Sequence, residues 1–300
     1  MEFTYHTALV QQLVDLNIID VGSVELYSHE TRDDPEQVVW RCNRSGLIFL
    51  EPNENNHNST NGDDLSYWGV EQRANFLLNS EDDDNRRFHL IANYLDNAHY
   101  LDIGTGLGGI LDKVNGLAKK VVAIEPQNAA RQILKNLNYE VYGNIKEVVD
   151  RKFDLVTLFH VFEHLHNPLD VLRQIRNRMN TAGKLIIEVP NANDALLTLY
   201  KSQDFKRFTL WSEHLILYTQ QSLQILLNSA GFLVEKIEGH QRYDLANHLY
   251  WLSHGKPGGH KIWSTNVSQE AKDSYASSLY TQGLSDTLVL TARLDSSRVT

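Results

Sequence analysis

Nine residues constrain this chain more than any other segment: Leu101-Asp102-Ile103-Gly104-Thr105-Gly106-Leu107-Gly108-Gly109. An apolar run that breaks into glycines reads as a buried strand turning tightly into a helix. Glycines let the backbone turn sharply and let N–H groups approach a ligand closely, so the turn is a candidate cradle. Its spacing fits two patterns. Gly104, Gly106 and Gly109 satisfy the dinucleotide pattern G-x-G-x-x-G. Asp102, Gly104, Gly106 and Gly108 satisfy D-x-G-x-G-x-G. Asp102 favours the second, because a nicotinamide fingerprint has buried strand at that position, whereas a carboxylate suits a cationic amino-acid ligand. Glu125 closes the next apolar run, where an acid accepts hydrogen bonds from two ribose hydroxyls. It supports nucleoside binding without choosing the cofactor.

Around this segment, strands and helices alternate. Tyr100–Ile103, Val121–Ile124, Glu140–Tyr142, Phe153–Phe159, Lys184–Val189 and Thr287–Thr291 read as strands. Asn167 and Pro168 open a helix lined by Leu169, Leu172, Ile175 and Met179, with Arg176 and Arg178 in its last turn and Gly183 after it. Such alternation predicts a doubly wound α/β fold with a mostly parallel sheet. Ahead of it, residues 2–19 have helical periodicity, and Val24–Glu30, Gln37–Asn43 and Gly46–Glu51 are strand-like. The polar run Asn53–Asp64 reads as a linker, and Ser66–Asp96 as helical with a break at Asp82-Asp83-Asp84. The expected division is a small N-terminal α+β unit and linker over 1–64, then the main domain over 65–300 with an insertion at about 240–285.

Composition narrows the function. The net charge of -10 argues against a nucleic-acid partner. No apolar stretch is long enough to span a membrane, and the N-terminus has no signal-peptide character, so a cytoplasmic location is expected. The single cysteine, Cys42, makes neither an internal disulfide nor a cysteine-rich zinc site. His160-Val-Phe-Glu163-His164 spells H-x-x-E-H, a zinc signature when it lies on a helix. Here it follows a strand, so no metal is expected.

The order of elements over about residues 85–240 resembles the class I S-adenosylmethionine-dependent methyltransferases. The resemblance implies a seven-stranded, Rossmann-like sheet with an antiparallel last strand. S-adenosylmethionine would be the cofactor. Asp102, Gly104, Gly106 and Gly108 would hold its methionine part, Glu125 its ribose and Asn144 its adenine, with His160 and Val161 facing it. Glu213-His214-Leu215 resembles a segment of sugar methyltransferases in bacterial surface-glycan and deoxysugar pathways. There the histidine is placed as a base, which casts His214 as base and Glu213 as its assistant. His164 reads equally as an acceptor contact or as a structural histidine. The insertion is rich in aromatics, amides and histidines, and Tyr243, Asn247, His248, Lys256 and His260 are its candidate acceptor contacts. Sugar C-methyltransferases carry a cysteine-rich zinc unit where this chain keeps Cys42 alone, so O-methylation is at least as well supported. The expected function is methyl transfer to a sugar acceptor, nucleotide-linked sugars included, with a homodimer left open. A nicotinamide-dependent sugar oxidoreductase and a non-catalytic partner protein are the alternatives.

Overall fold

A computed structural model describes residues 3–51 and 73–298. The chain opens with helix α1 (Ala8–Asp15), capped by the Thr7 hydroxyl, which accepts from the Val10 N–H. Strands β1 (Val24–Ser28), β2 (Val39–Cys42) and β3 (Ile48–Leu50) form an antiparallel meander. The long helix α2 (Arg73–Ile91) leads to β4 (His99–Ile103), α3 (Gly109–Val114), β5 (Lys120–Ile124), α4 (Asn128–Asn136), β6 (Val141–Tyr142) and β7 (Phe153–Phe159). Then follow α5 (Pro168–Arg176), β8 (Met179–Pro190), α6 (Ala195–Thr198), α7 (Gln203–Thr209), β9 (Ile216–Leu217), α8 (Gln220–Ser229) and β10 (Phe232–His240). The chain ends with α9 (Leu245–His254), α10 (Gly259–Ile262), α11 (Gln269–Gln282) and β11 (Thr287–Leu294).

The main sheet has seven strands in the order β10-β11-β8-β7-β4-β5-β6, with β11 antiparallel to both neighbours. This is the expected doubly wound architecture. The apolar run of β7 is buried almost throughout, as a central strand covered on both faces requires. Period-two alternation splits the interior into two cores. Leu101, Ile103, Val156 and Leu158 face one, with residues of α5 and α8. Tyr100, Leu155 and Phe159 face the other, with residues of α2, α3 and α4. Asp102 therefore shares its face with Tyr100.

The N-terminal meander gains a fourth strand from the far half of the chain, because β3 pairs with β9. Leu9, Leu13, Trp40, Cys42 and Phe49 belong to the same hydrophobic cluster as Leu101 and Leu158. Three further contacts tie this sheet to the loop before β9. Leu50 N donates to Leu215 O at 3.1 Å and Arg32 N to Leu210 O at 2.9 Å. Ser212 N donates to Asp33 Oδ1 at 3.0 Å.

Several local expectations change. The helical pattern over 2–19 condenses to α1, because Asn17 adopts a left-handed conformation (φ 56°) and ends it. The acidic run does not break α2. Asp83 and Asp84 pair with Arg86 and Arg87 one turn on, which offsets their poor helix propensity. The helix opened by Asn167 ends at Arg176, so Arg178 and Met179 lie beyond it, and Gly183 sits inside β8. A Cβ on Gly183 would come within 2.9 Å of Phe153 O, so the close backbone approach of β7 and β8 requires glycine there. β10 went unrecognised in the sequence because only its first residue is buried and its pattern is largely polar. The expected linker over 53–64 lies outside the described residues.

Candidate active site

β4 bonds to β5 on one side and to β7 on the other, so the crossovers diverge at its carboxyl end. Open α/β sheets place their ligand crevice at such a point. A cleft of about 510 Å³ opens there, lined among others by Asp102, Gly104, Gly106, Glu125, His160, Val161, His164 and Glu213. That volume lies within the range of small-molecule sites, roughly 300–1,000 Å³.

The glycine turn forms the floor. Gly104 has φ +74°, and a Cβ on it would sit 2.2 Å from Val161 Cγ2. Only glycine satisfies both constraints. Glu125 clamps the turn: Gly106 N donates to its Oε2 at 2.8 Å and Gln127 N to its Oε1 at 2.9 Å. Each carboxylate oxygen keeps a second lone pair, so a vicinal diol can still bind there. Burial raises the pKa of Glu125 above the ordinary value, against those two N–H groups. Asp102 is 2% exposed. Thr157 donates to its Oδ1 at 2.6 Å, and the Tyr100 hydroxyl lies 2.7 Å from Thr157 Oγ1. Burial pushes Asp102 up to about 6, with the Thr157 hydrogen bond opposing the shift. Arg87 also favours the charged form but does not outweigh burial, so the carboxylate suits a ligand that brings its own positive charge.

Gly108 and Asn144 stand outside the cleft lining. Gly108 starts α3, and a Cβ there would meet Leu134 at 2.6 Å, so it is a packing glycine. Asn144 is exposed and caps a short turn by accepting from Lys146 N.

Helix α2 supplies a wall that the sequence did not single out: Phe76, Asn79, Ser80, Asp83, Asp84 and Arg87. It leans on a buried ionic hub. Glu188, fully buried on β8, accepts from Arg86 Nη1 at 2.7 Å and from Arg87 Nη2 at 2.8 Å. Burial opposes the Glu188 charge, but Arg87, His160 and Arg86 outweigh it and hold the carboxyl well below its ordinary range. Arg242 Nε donates to Asp83 Oδ1 at 3.0 Å, and its Nη2 pairs with Asp83 Oδ2. These groups hide in a sequence because each pairs with residues far along the chain. A glutamate inside an otherwise apolar strand was the available signal for Glu188.

The turn after β7 carries His160, Glu163 and His164. His160 has φ +54°, an uncommon conformation for a residue with a side chain and one that collects at functional sites. Its Nδ1 lies 3.1 Å from Glu163 Oε1 and its Nε2 3.3 Å from Glu188 Oε1. Burial and Arg242 oppose a charge on this imidazole, yet the two carboxylates outweigh them and raise its pKa. Glu163 is fully buried. Burial works against its charge, but His160 prevails and brings the carboxyl down to about 2. Its Oε2 has no hydrogen-bond partner. His164 Nδ1 lies 2.8 Å from Glu213 O, so that nitrogen carries the proton and donates, leaving Nε2 with its lone pair. The His214 ring packs 5.0 Å from that of His164. Burial lowers the pKa of His214 to about 4, and its Nδ1 is buried without a partner. A Glu163 oxygen, a His164 nitrogen and a His214 nitrogen all lie within 4.8 Å of one another. The strand-following H-x-x-E-H segment, from which no metal was expected, thus brings potential ligands together through tertiary contacts and without a helix.

His214 is absent from the cleft lining and stands behind His164, whereas Glu213 reaches the lining and gives its carbonyl to His164. The insertion contributes Arg242 to the lining. Its sequence candidates lie elsewhere. Asn247 Oδ1 accepts from Gly258 N at 3.3 Å and faces His260 Nδ1 at 3.2 Å. His248 Nδ1 lies 2.7 Å from the Tyr275 hydroxyl. Tyr243 is 40% exposed and its ring packs on His260. Lys256 is exposed.

The residues of the floor fit the donor that the sequence resemblance implies. Glu125 offers acceptors for a ribose diol, Asp102 a negative charge for an amino-acid cation, and the missing Cβ of Gly104 leaves room beside Val161. Comparison with known proteins bears on the same question. A family model described as a methyltransferase domain matches residues 70–237. No curated protein sequence matches the chain. Among solved structures, a methyltransferase from Haloferax volcanii, in complex with the Trm112 methyltransferase activator, is similar at 13% identity and a TM-score of 0.52, over 75% of this chain and 96% of that one. A SAM-dependent methyltransferase from Archaeoglobus fulgidus is similar at 18% identity and a TM-score of 0.50, over 73% of this chain and 98% of that one. The family match covers more than half of the chain and decides between the two readings of the glycine turn. The chain belongs to the methyltransferase domain family, and its methyl donor is S-adenosylmethionine.

Proposed function

We propose that the chain methylates a hydroxyl group of a sugar, nucleotide-linked sugars included, in glycan biosynthesis. The observation that carries this reading is the position of Ser212, Glu213 and His164 together in the cleft lining, beyond the glycine turn. Ser212 and Glu213 flank or form the Glu-His-Leu segment that resembles sugar methyltransferases. The lining sets polar side chains among a mainly apolar surface, and such groups suit an acceptor with hydroxyls. The single cysteine of the chain favours a hydroxyl over a carbon as the methylated atom, because the zinc unit of the C-methylating relatives has no ligands here.

S-adenosylmethionine supplies a methyl group on a positively charged sulfur. Asp102 and the glycine turn would hold the donor's amino-acid part and Glu125 its ribose. The acceptor oxygen must lie in line with the methyl carbon and lose its proton. The imidazoles of His164, which lines the cleft, and of His214 behind it can take the hydroxyl's hydrogen bond and its proton. Ser212 and Glu213 orient the sugar, and the β3–β9 pairing keeps their loop in place.

The test is calorimetric titration with S-adenosylhomocysteine, followed by a methyl-transfer screen over sugars and nucleotide sugars. Binding and turnover on a sugar hydroxyl are expected. In His214→Ala, donor binding should persist while turnover falls about a hundred- to ten-thousand-fold. Turnover on acceptors without hydroxyl groups alone would overturn the reading.

A further inference from the structure

We infer that Glu163, His164 and His214 form a site for one divalent transition-metal ion of the zinc or manganese kind. The inference rests on the proposed reading of this end of the cleft as the acceptor pocket. Three potential donor atoms from these residues already lie within 4.8 Å of one another. Ligand atoms about 2.0–2.2 Å from a shared ion sit closer than that, so small side-chain rotations complete the shell. Two imidazoles and a carboxylate are the donor set of open, reactive zinc sites, which keep a further position for water or substrate. Imidazole donors favour transition ions over magnesium and calcium.

Unmet hydrogen-bonding capacity points to the same place. Glu163 is fully buried, and its Oε2 has no partner among the described residues. His214 Nδ1 and the Tyr218 hydroxyl are likewise buried and without partners among the described residues. Buried polar atoms are satisfied in the great majority of cases, so several orphans around one carboxylate call for a ligand. The surroundings also have the form of an outer shell. His164 Nδ1 donates to Glu213 O, which fixes the ring and leaves Nε2 as the ligand atom. His160 Nδ1 holds the other oxygen of Glu163 at 3.1 Å. His164 lines the cleft, so an ion in this cluster keeps a face toward the acceptor. There it would hold the hydroxyl oxygen and favour its deprotonated form. With the ion bound the two imidazoles act as ligands, so the hydroxyl's proton passes to water in the cleft instead of to His164 or His214.

The experiment uses untagged, chelator-treated full-length protein, titrated calorimetrically with Zn²⁺, Mn²⁺ and Mg²⁺, with S-adenosylhomocysteine titrated in parallel. One Zn²⁺ or Mn²⁺ ion should bind per chain, more tightly than Mg²⁺. The affinity should fall by at least about a hundredfold in His214→Ala and in Glu163→Gln, since even outer-shell changes lose about 10- to 100-fold. Retained S-adenosylhomocysteine binding in either variant shows that it is folded, and one folded variant suffices. No ion binding by wild-type protein that binds S-adenosylhomocysteine overturns the site while leaving methyl transfer standing. Ion binding that is equal in wild type and a folded variant also overturns it. Variant-sensitive ion binding without turnover on any sugar supports the site and removes the sugar reading.

Discussion

At the glycine end of the cleft, Asp102, Gly104, Gly106 and Glu125 come from two adjacent parallel strands and the turn between them. Backbone N–H groups meet one carboxylate, and the geometry is local. At the histidine end, His160, Glu163 and His164 meet Arg86 and Arg87 of α2, Glu188 of β8, Glu213 and His214 of the loop before β9, and Arg242 of the insertion. The partners lie up to 159 residues apart, in the case of Asp83 on α2 and Arg242. The first end is fixed by where a chain can turn. The second is fixed by charges that must cancel inside the protein. Errors should therefore stay local at one end and spread at the other.

The largest expected effect comes from Glu188→Ala. It leaves Arg86, Arg87 and His160 without the carboxylate they share, in surroundings where breaking a buried pair costs about 3–5 kcal/mol. Urea denaturation at neutral pH should show a loss of that order. A loss under about 1 kcal/mol would mean that Asp83 and Asp84 can neutralise the arginines, and the contrast between the ends would weaken.

Gly104→Ala comes next. A side chain at φ +74° is strained by about 1–3 kcal/mol before any clash. Affinity for S-adenosylhomocysteine should fall about 5- to 150-fold. Val161→Ala should recover part of that loss, because the Val161 methyl groups are what the new Cβ meets. Full recovery would show that the glycine serves only the contact with the histidine turn. No recovery would show that backbone conformation alone demands it.

Asp102 gives a smaller effect with a sign to check. Its folded pKa, about 6, lies above the ordinary carboxyl value of 3.8, so the folded protein binds the extra proton between those values. Stability contributed by this group is therefore present below about pH 4 and is lost as pH rises through about 6, by at most about 3 kcal/mol. Asp102→Asn should be more stable than wild type at pH 7.5 and gain little at pH 4. Its donor affinity should be weak and flat with pH, while that of the wild type should decline as pH falls through about 6. A wild-type affinity that stays flat would mean that the donor's cation is held elsewhere.

The same contrast explains what the sequence disclosed. Gly104, Gly106 and Glu125 announce themselves because turn geometry and ribose recognition act over short spans. The alternation of strands and helices predicted the main sheet for the same reason. β10 was obscured by its polar pattern, and β9, a two-residue strand, exists only because β3 offers an edge. Glu188 offered one signal, an acid inside an apolar strand, but its role and that of Arg242 could not be read, because nothing within a few residues of either explains its charge. Their meaning comes from α2, which the acidic run made look interrupted. His214 illustrates the intermediate case. Its motif marked it, but its place behind His164 depends on how the antiparallel sheet draws in the loop before β9.

The smallest effect tests the insertion. Lys256 beside Pro257-Gly258-Gly259 resembles a phosphate perch in sequence, yet it is exposed and outside the cleft lining, to which the insertion contributes Arg242. Lys256→Ala should change stability by no more than about 0.5 kcal/mol, as exposed substitutions do. Its KM for a nucleotide sugar should stay within about twofold of wild type, because an exposed charge outside the cleft lining is screened by water and salt. A tenfold rise in KM with unchanged kcat would place the acceptor's phosphate at the Pro-Gly-Gly turn. The histidine end would then extend across the insertion, and Arg242 would be its near edge.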